Sequence, residues 1–219
     1  MECGSTNCAE RLPRLQANKF LRFSFLKKVL DAIRVVHELG YIHGDIKLEN
    51  VVYFGDETCY KLIDFDNSAR LGDLWTKHCT EEYCPPEMAK FMLGHTDNLI
   101  TSPSFDVWCA AVLVLKLFVY QGHLREFMTI DNEDILKKIA KPGFSFQASI
   151  AAADLSERKK EWLAKCLDVD PTTRGTLDDL ARLAPSLKTT TKESELPDLY
   201  KIVLDLREAQ IERERRTSL

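Results

Sequence analysis

The 219-residue sequence has little that would commit it to a disulfide scaffold, a metal centre, a membrane span or a polyelectrolyte partner. Its seven cysteines (Cys3, Cys8, Cys59, Cys79, Cys84, Cys109 and Cys166) are odd in number, scattered and never spaced C-x-x-C, which argues against both a disulfide framework and a zinc site. Cys79 and Cys84 with His78 come nearest to a ligand set, but three groups in one stretch without a fourth read as ordinary reduced thiols. No basic segment followed by an apolar run opens the sequence, so a signal peptide is not expected. The most apolar stretch, 107–120, is interrupted by Lys116 and is shorter than the roughly 20 residues of a membrane helix. A formal charge of -4 gives no general attraction for nucleic acid or an anionic membrane, so neither is expected as a partner. There is no internal repeat and no low-complexity linker. These absences point to a cytoplasmic or nuclear protein.

What is present, 45% hydrophobic and 29% charged residues, suits one soluble domain with a sizeable core. Phe25, Leu26, Val29, Leu30, Ile33 and Val36 recur at helical spacing and stop before Gly40, which predicts an amphipathic helix with a glycine past its end. Runs 51–54 and 60–63, separated by Gly55-Asp56, predict a small β-hairpin. Polar, irregular sequence follows over 67–83. From Phe105 to Tyr120 apolar residues occupy every face, the pattern of a central helix. Helical segments are then expected at 133–140, 152–167 and 177–183. In the last stretch, Leu199, Ile202, Val203 and Leu206 make a narrow apolar stripe among charges, a peripheral amphipathic helix on a polar tail.

Phosphoryl transfer asks a protein for a carboxylate to orient the attacking hydroxyl, oxygen ligands for Mg²⁺ and positive charge near the phosphates. The run His43-Gly44-Asp45-Ile46-Lys47-Leu48-Glu49-Asn50 offers all three, and Asp64-Phe65-Asp66 follows the hairpin with a further carboxylate. With these motifs the chain resembles the protein kinase superfamily, whose catalytic loop and D-F-G triplet occur in this order. Thr80-Glu81-Glu82-Tyr83-Cys84-Pro85-Pro86-Glu87 resembles the end of the activation segment, with Pro86-Glu87 standing for the close of A-P-E. Asp106-Val107-Trp108 resembles D-x-W, and Asp170 to Arg174 resembles the late segment whose Arg pairs with the A-P-E glutamate.

The resemblance implies that Asp45 is the catalytic base, that Lys47 neutralises charge on the transferred phosphate, and that Asn50 and Asp64 hold Mg²⁺. It implies that Thr80 ties the substrate-binding loop to Asp45 and Lys47, that Glu87 and Arg174 form a buried ion pair, and that Asp106 anchors the catalytic loop from below. Glu2, Cys3, Glu49, Val52 and Asp64 would line the ATP site, with Val52 in the floor of the adenine pocket. Lys47 two residues after Asp45 is the Ser/Thr-type arrangement; tyrosine kinases usually place Arg and Ala in that loop. Three departures stand out: Gly44 for the Arg of H-R-D, Asp66 for the Gly of D-F-G, and Ala111 for a small Gly in the central helix.

Met1 to Gly4 resembles the hinge between kinase lobes, and no G-x-G-x-x-G or V-A-I-K lysine precedes it. The expected fold is therefore mainly α with a small β-hairpin: a kinase-like C-lobe over 1–185 without its N-lobe, followed by the tail 186–219, whereas the complete fold would be α+β in two lobes. The expected function is a Ser/Thr-type kinase using ATP and Mg²⁺ on a protein substrate, inactive alone when truncated. The alternative is a non-catalytic pseudokinase or interaction scaffold. A face formed by the hinge, Val52, Leu62 and Phe65 is expected to be exposed and apolar, and hence a site for a protein partner.

Overall fold

The computed structural model describes residues 6–54, 59–76 and 78–184. The hinge-like Met1 to Gly4, with Glu2 and Cys3, the Gly55-Asp56 turn, and the tail with its Leu199 to Leu206 stripe all lie outside the described residues.

The chain enters through β1 (Thr6–Asn7) and a short helix α1 (Leu12–Ala17) that has Pro13 in its first turn, where a missing N–H costs nothing. Asn18 then starts α2 (Lys19–Glu38): its side chain accepts from the N–H groups of Phe20 and Leu21 at 3.0 and 3.1 Å. The predicted stripe from Phe25 to Val36 is buried throughout, joined by Leu21 and Phe23. Gly40, at φ +85, closes the helix in a left-handed conformation, and its N–H bonds to the carbonyl of His37.

From there β2 (Tyr41–Ile42) leads to the loop 43–50, then to β3 (Val51–Tyr53), β4 (Tyr60–Leu62) and β5 (Ala69–Arg70). The hairpin is antiparallel with Val51 opposite Leu62 and Tyr53 opposite Tyr60. The expectation of a lone hairpin on a C-terminal lobe is corrected by this topology. The free edge of β3 carries unpaired backbone groups, and β1 covers it, with Thr6 opposite Tyr53 and Asn7 opposite Val52. Strand order β1-β3-β4 thus makes a three-stranded sheet that includes the N-terminal strand. A second sheet pairs β2 with β5, Tyr41 opposite Arg70.

Beyond the second sheet come α3 (Pro86–Met92), α4 (Pro103–Phe118), α5 (Asn132–Ile139), α6 (Gln147–Ala152), α7 (Glu157–Cys166) and α8 (Leu177–Ala181). As its composition predicts, α4 is buried on all sides, and Ala111 sits within it fully enclosed. Its one cationic residue, Lys116, turns to Glu82 and lies over the Tyr83 ring at 5.1 Å. Each large apolar side chain enclosed there contributes about 1.5–3 kcal/mol. The expected helix over 152–167 is shorter in the structure: Ala152 ends α6, the chain leaves helical geometry where the Asp154 N–H donates to the carbonyl of Phe118 at 2.8 Å, and α7 begins at Glu157. No helix among the described residues is long and apolar enough to cross a membrane.

Candidate active site

The loop 43–50 is seated by one fully buried carboxylate. Asp106, in the first turn of α4, accepts from the N–H of His43 (2.8 Å) and of Gly44 (2.9 Å), and from Nε2 of His37 (2.9 Å). Burial pushes the Asp106 carboxyl upward, but the hydrogen bond from His37, the electrostatic pull of the His37 ring and the Gly44 N–H outweigh it. Its pKa is therefore lowered.

His43 is enclosed in turn. Its Nδ1 accepts from the N–H of Asp45 (3.2 Å), so Nε2 is the protonated nitrogen and donates to the carbonyl of Ile63 (3.0 Å). This pattern requires a neutral ring. Burial lowers the His43 pKa, against the opposing pull of Asp106, the Ile63 carbonyl, Asp45 and Asp64. The ring also packs against Phe65 with centroids 4.7 Å apart, which links the loop to the segment after β4.

Held this way, the loop gathers four of the predicted site residues. Lys47 Nζ donates to Asp45 Oδ2 at 2.6 Å and to Thr80 Oγ1 at 2.9 Å. Thr80 Oγ1 donates to Asp45 Oδ1 at 2.8 Å. Asn50 Nδ2 donates to Asp45 Oδ2 at 3.0 Å and to the Asp45 carbonyl at 2.9 Å. Asp45 is thus a buried carboxylate held by a cation, a hydroxyl and an amide, which fixes its orientation.

The remaining predicted residues are not part of this hydrogen-bonded cluster. Asp64 is exposed and takes a left-handed backbone, φ 63, which is strained for a residue with a Cβ. The left-handed position is Asp64 and not Asp66, so having Asp instead of Gly at 66 imposes no such strain. Glu49 is exposed, and Val52 is half-buried in the middle strand of the three-stranded sheet. Leu62 is only 5% exposed, and Phe65 is half-buried. The expectation that Leu62 is exposed on an apolar face is corrected, because Leu62 on β4 turns into the core, while the hinge part of that face lies outside the described residues.

The Asn50 amide spends its nitrogen on Asp45, so the atom it can offer a cation is Oδ1; the other predicted ligand is the carboxylate of Asp64. Among the described residues no group of three or more His, Cys, Asp or Glu side chains could hold a metal ion. One amide oxygen and one carboxylate are too few to hold Mg²⁺ alone. They suit a cation that arrives with phosphate oxygens and water completing its shell.

The segment carrying Thr80 is braced from behind. Arg174 grips Glu87 with two bonds, Nη1 to Oε1 at 2.7 Å and Nη2 to Oε2 at 2.8 Å, while Nη1 also reaches the Ser104 carbonyl and Nε the Asp168 carbonyl, each at 2.9 Å. Three contributors were not visible in the sequence. His37 supports Asp106, the Tyr83 hydroxyl accepts from the Leu48 N–H at 3.4 Å, and Trp75 packs beneath Gly44. His37 and Trp75 belong to no motif, Tyr83 lies within the Thr80–Glu87 run without a role assigned to it, and only the three-dimensional packing shows what each supports.

The family described as Protein kinase domain matches residues 6–183. Serine/threonine-protein kinase Kist of Homo sapiens is 32% identical over 97 residues, 42% of this chain and 23% of that protein. SNF-related serine/threonine-protein kinase of Homo sapiens is 26% identical over 166 residues, 74% of this chain and 20% of that protein. Serine/threonine-protein kinase pim-2 of Danio rerio is 28% identical over 180 residues, 81% of this chain and 52% of that protein. The chain thus spans between a fifth and about half of the length of these relatives. The family match starts on β1 and takes in the N-terminal strand, which also overturns the description of the chain as a C-terminal lobe alone. From Thr6 to Leu183, this chain belongs to the protein kinase family.

Proposed function

We propose that the cluster around Asp45 is the phosphoryl-transfer site of a Ser/Thr-type protein kinase that moves the γ-phosphate of ATP to a protein hydroxyl. One observation carries this reading: the Asp45 carboxylate, oriented on both oxygens by Lys47, Asn50 and Thr80. A hydroxyl brought to Asp45 finds an acceptor for its proton that is fixed in direction before the substrate arrives. The Lys47 ammonium stands beside that carboxylate and stabilises negative charge developing on the transferred group. Asn50 Oδ1 and Asp64 are the side chains that would hold Mg²⁺, which when bound neutralises phosphate charge. Lys47 two residues after Asp45, and the serine/threonine-protein kinase relatives, support a Ser/Thr substrate over a Tyr substrate.

The test is transfer of labelled phosphate from Mg·ATP to mixed Ser-, Thr- and Tyr-containing peptides, with nucleotide binding followed by calorimetry. Label on Ser and Thr peptides that is lost in Asp45→Asn supports the reading. A folded protein that binds no nucleotide and labels nothing favours the alternative, a non-catalytic scaffold built on the kinase fold.

A further inference from the structure

Between β5 and α3 the chain lies alongside residues 99–101. Gly72 N–H donates to the Thr101 carbonyl (3.1 Å), Thr101 N–H to the Asp73 carbonyl (2.9 Å) and Trp75 N–H to the Leu99 carbonyl (2.7 Å), with Leu74 and Ile100 forming an antiparallel bridge. This short ladder aims the Trp75 side chain inward. Its indole is 2% exposed and meets the ring of Phe105 edge-on, centroids 5.9 Å apart at 80°.

The indole also meets Gly44. The residue has φ +80, and a Cβ built on it would stand 2.4 Å from the Asn67 carbonyl oxygen and 2.8 Å from Cη2 of Trp75. Both distances are shorter than real Cβ contacts, so the backbone angle, the Asn67 carbonyl and the Trp75 ring each require glycine at this position. Trp75 occupies volume that any side chain at position 44 would need. Gly44 lies between His43 and Asp45, and its N–H is held by Asp106, next to Phe105 on the same helical turn. Trp75 therefore touches the catalytic loop on one side and the root of its anchoring helix on the other.

We propose that Trp75 is a positioning residue: its indole, wedged between Gly44 and Phe105, seats the turn that carries Asp45 and docks the segment leading to Thr80 by burial. The proposal deepens the kinase reading and rests on it only for its kinetic consequence. The indole Nε1 has no hydrogen-bond partner among the described residues, so the ring acts through packing alone. Phenylalanine keeps a flat apolar face without breaking a bond, whereas alanine leaves the turn unsupported.

The experiment compares backbone amide exchange in the parent chain, Trp75→Ala and Trp75→Phe, with peptide phosphorylation kinetics measured in parallel. In Trp75→Ala, exchange over residues 43–45 should accelerate at least about tenfold more than in α2 and α7, and Trp75→Phe should restore most of the protection. Where transfer is measured, kcat should fall about tenfold with KM for ATP little changed, the mark of a misplaced base. Equal acceleration in every segment would reduce Trp75 to a general contributor to stability, and unchanged exchange over 43–45 would overturn the proposal outright. If Trp75→Ala does not fold, Trp75→Leu provides the same comparison with most of the volume kept. Absence of any phosphate transfer by the parent would count against the kinase reading, while the exchange pattern would still decide the role of Trp75.

Discussion

The hydroxyl of Thr80 donates to one oxygen of Asp45, and the Lys47 ammonium bridges the other oxygen of Asp45 back to that hydroxyl, closing a three-membered ring of contacts. Two stretches of chain separated in sequence by β3, β4 and β5 meet in this ring. Thr80→Val should remove the hydroxyl while keeping the shape, so the carboxylate loses its aim without loss of the fold. Phosphate transfer is expected to fall about 10- to 100-fold, nucleotide affinity to stay within about twofold, and the melting temperature to shift by only a few degrees. A large melting shift, or unchanged transfer, would contradict this account of Thr80.

Asp45 and Asp64 are both acidic, but they should fail differently. Asp45→Asn is expected to cost about 10²- to 10⁴-fold in transfer with nucleotide binding nearly intact, because a base acts on the hydroxyl. Asp64→Asn should abolish the Mg²⁺-dependent part of nucleotide binding. Calorimetry with ATP, with and without Mg²⁺, separates the two, and identical behaviour of the variants would remove the division of roles.

The Glu87–Arg174 pair is bidentate and the arginine side chain is fully buried. Truncating one partner leaves an uncompensated charge, so Glu87→Ala should destabilise by about 3–5 kcal/mol. Replacing both residues with apolar side chains of similar volume should cost much less. Urea unfolding of the single and double variants gives the comparison, and additive losses would show that the two residues do not act as a pair.

Stability should fall in two stages on acidification. The folded pKa of His43 lies below its unfolded value near 6.5, so the unfolded chain binds a proton that the folded chain refuses. The stabilisation from a neutral His43 is complete above about pH 6.5 and is lost as pH falls below it. Asp106 is also depressed, so its contribution holds above roughly pH 4 and is lost as pH drops through its folded value. Urea unfolding at a series of pH values should show a slope beginning near pH 6.5 that is flatter in His43→Asn. A parent curve level between pH 5 and 7 would contradict the neutral assignment of His43.

What the sequence disclosed depended on how local each signal was. Asp45, Lys47 and Asn50 fall within eight consecutive residues and α2 has an uninterrupted apolar spacing, so both were legible directly. Thr80, Glu87 and Arg174 were legible only through the family resemblance, because nothing local says that they meet. Strands β1, β2 and β5 have two residues each, too few for any alternation to register. α1 and α3 each have a proline in the first turn and too few residues to show a period. The division between α6 and α7 depends on the Phe118 carbonyl capturing the Asp154 N–H, a contact made by folding. Likewise, Gly44 looked like a lost arginine in one dimension, but in the folded chain it is the gap that Trp75 fills.

The clasp between Glu87 and Arg174 also has a consequence for synthesis on the ribosome. The sheets, the 43–50 loop and the segment bearing Thr80 are all translated well before Arg174 emerges. Until then Glu87 lacks its counter-charge, so the nascent chain holds the chemical residues of the site in an order of assembly that cannot be locked. Translation pauses or premature stops ahead of Arg174 should therefore release chains with every side chain of the Asp45 cluster but no brace behind Thr80, natural clients for chaperones and proteases.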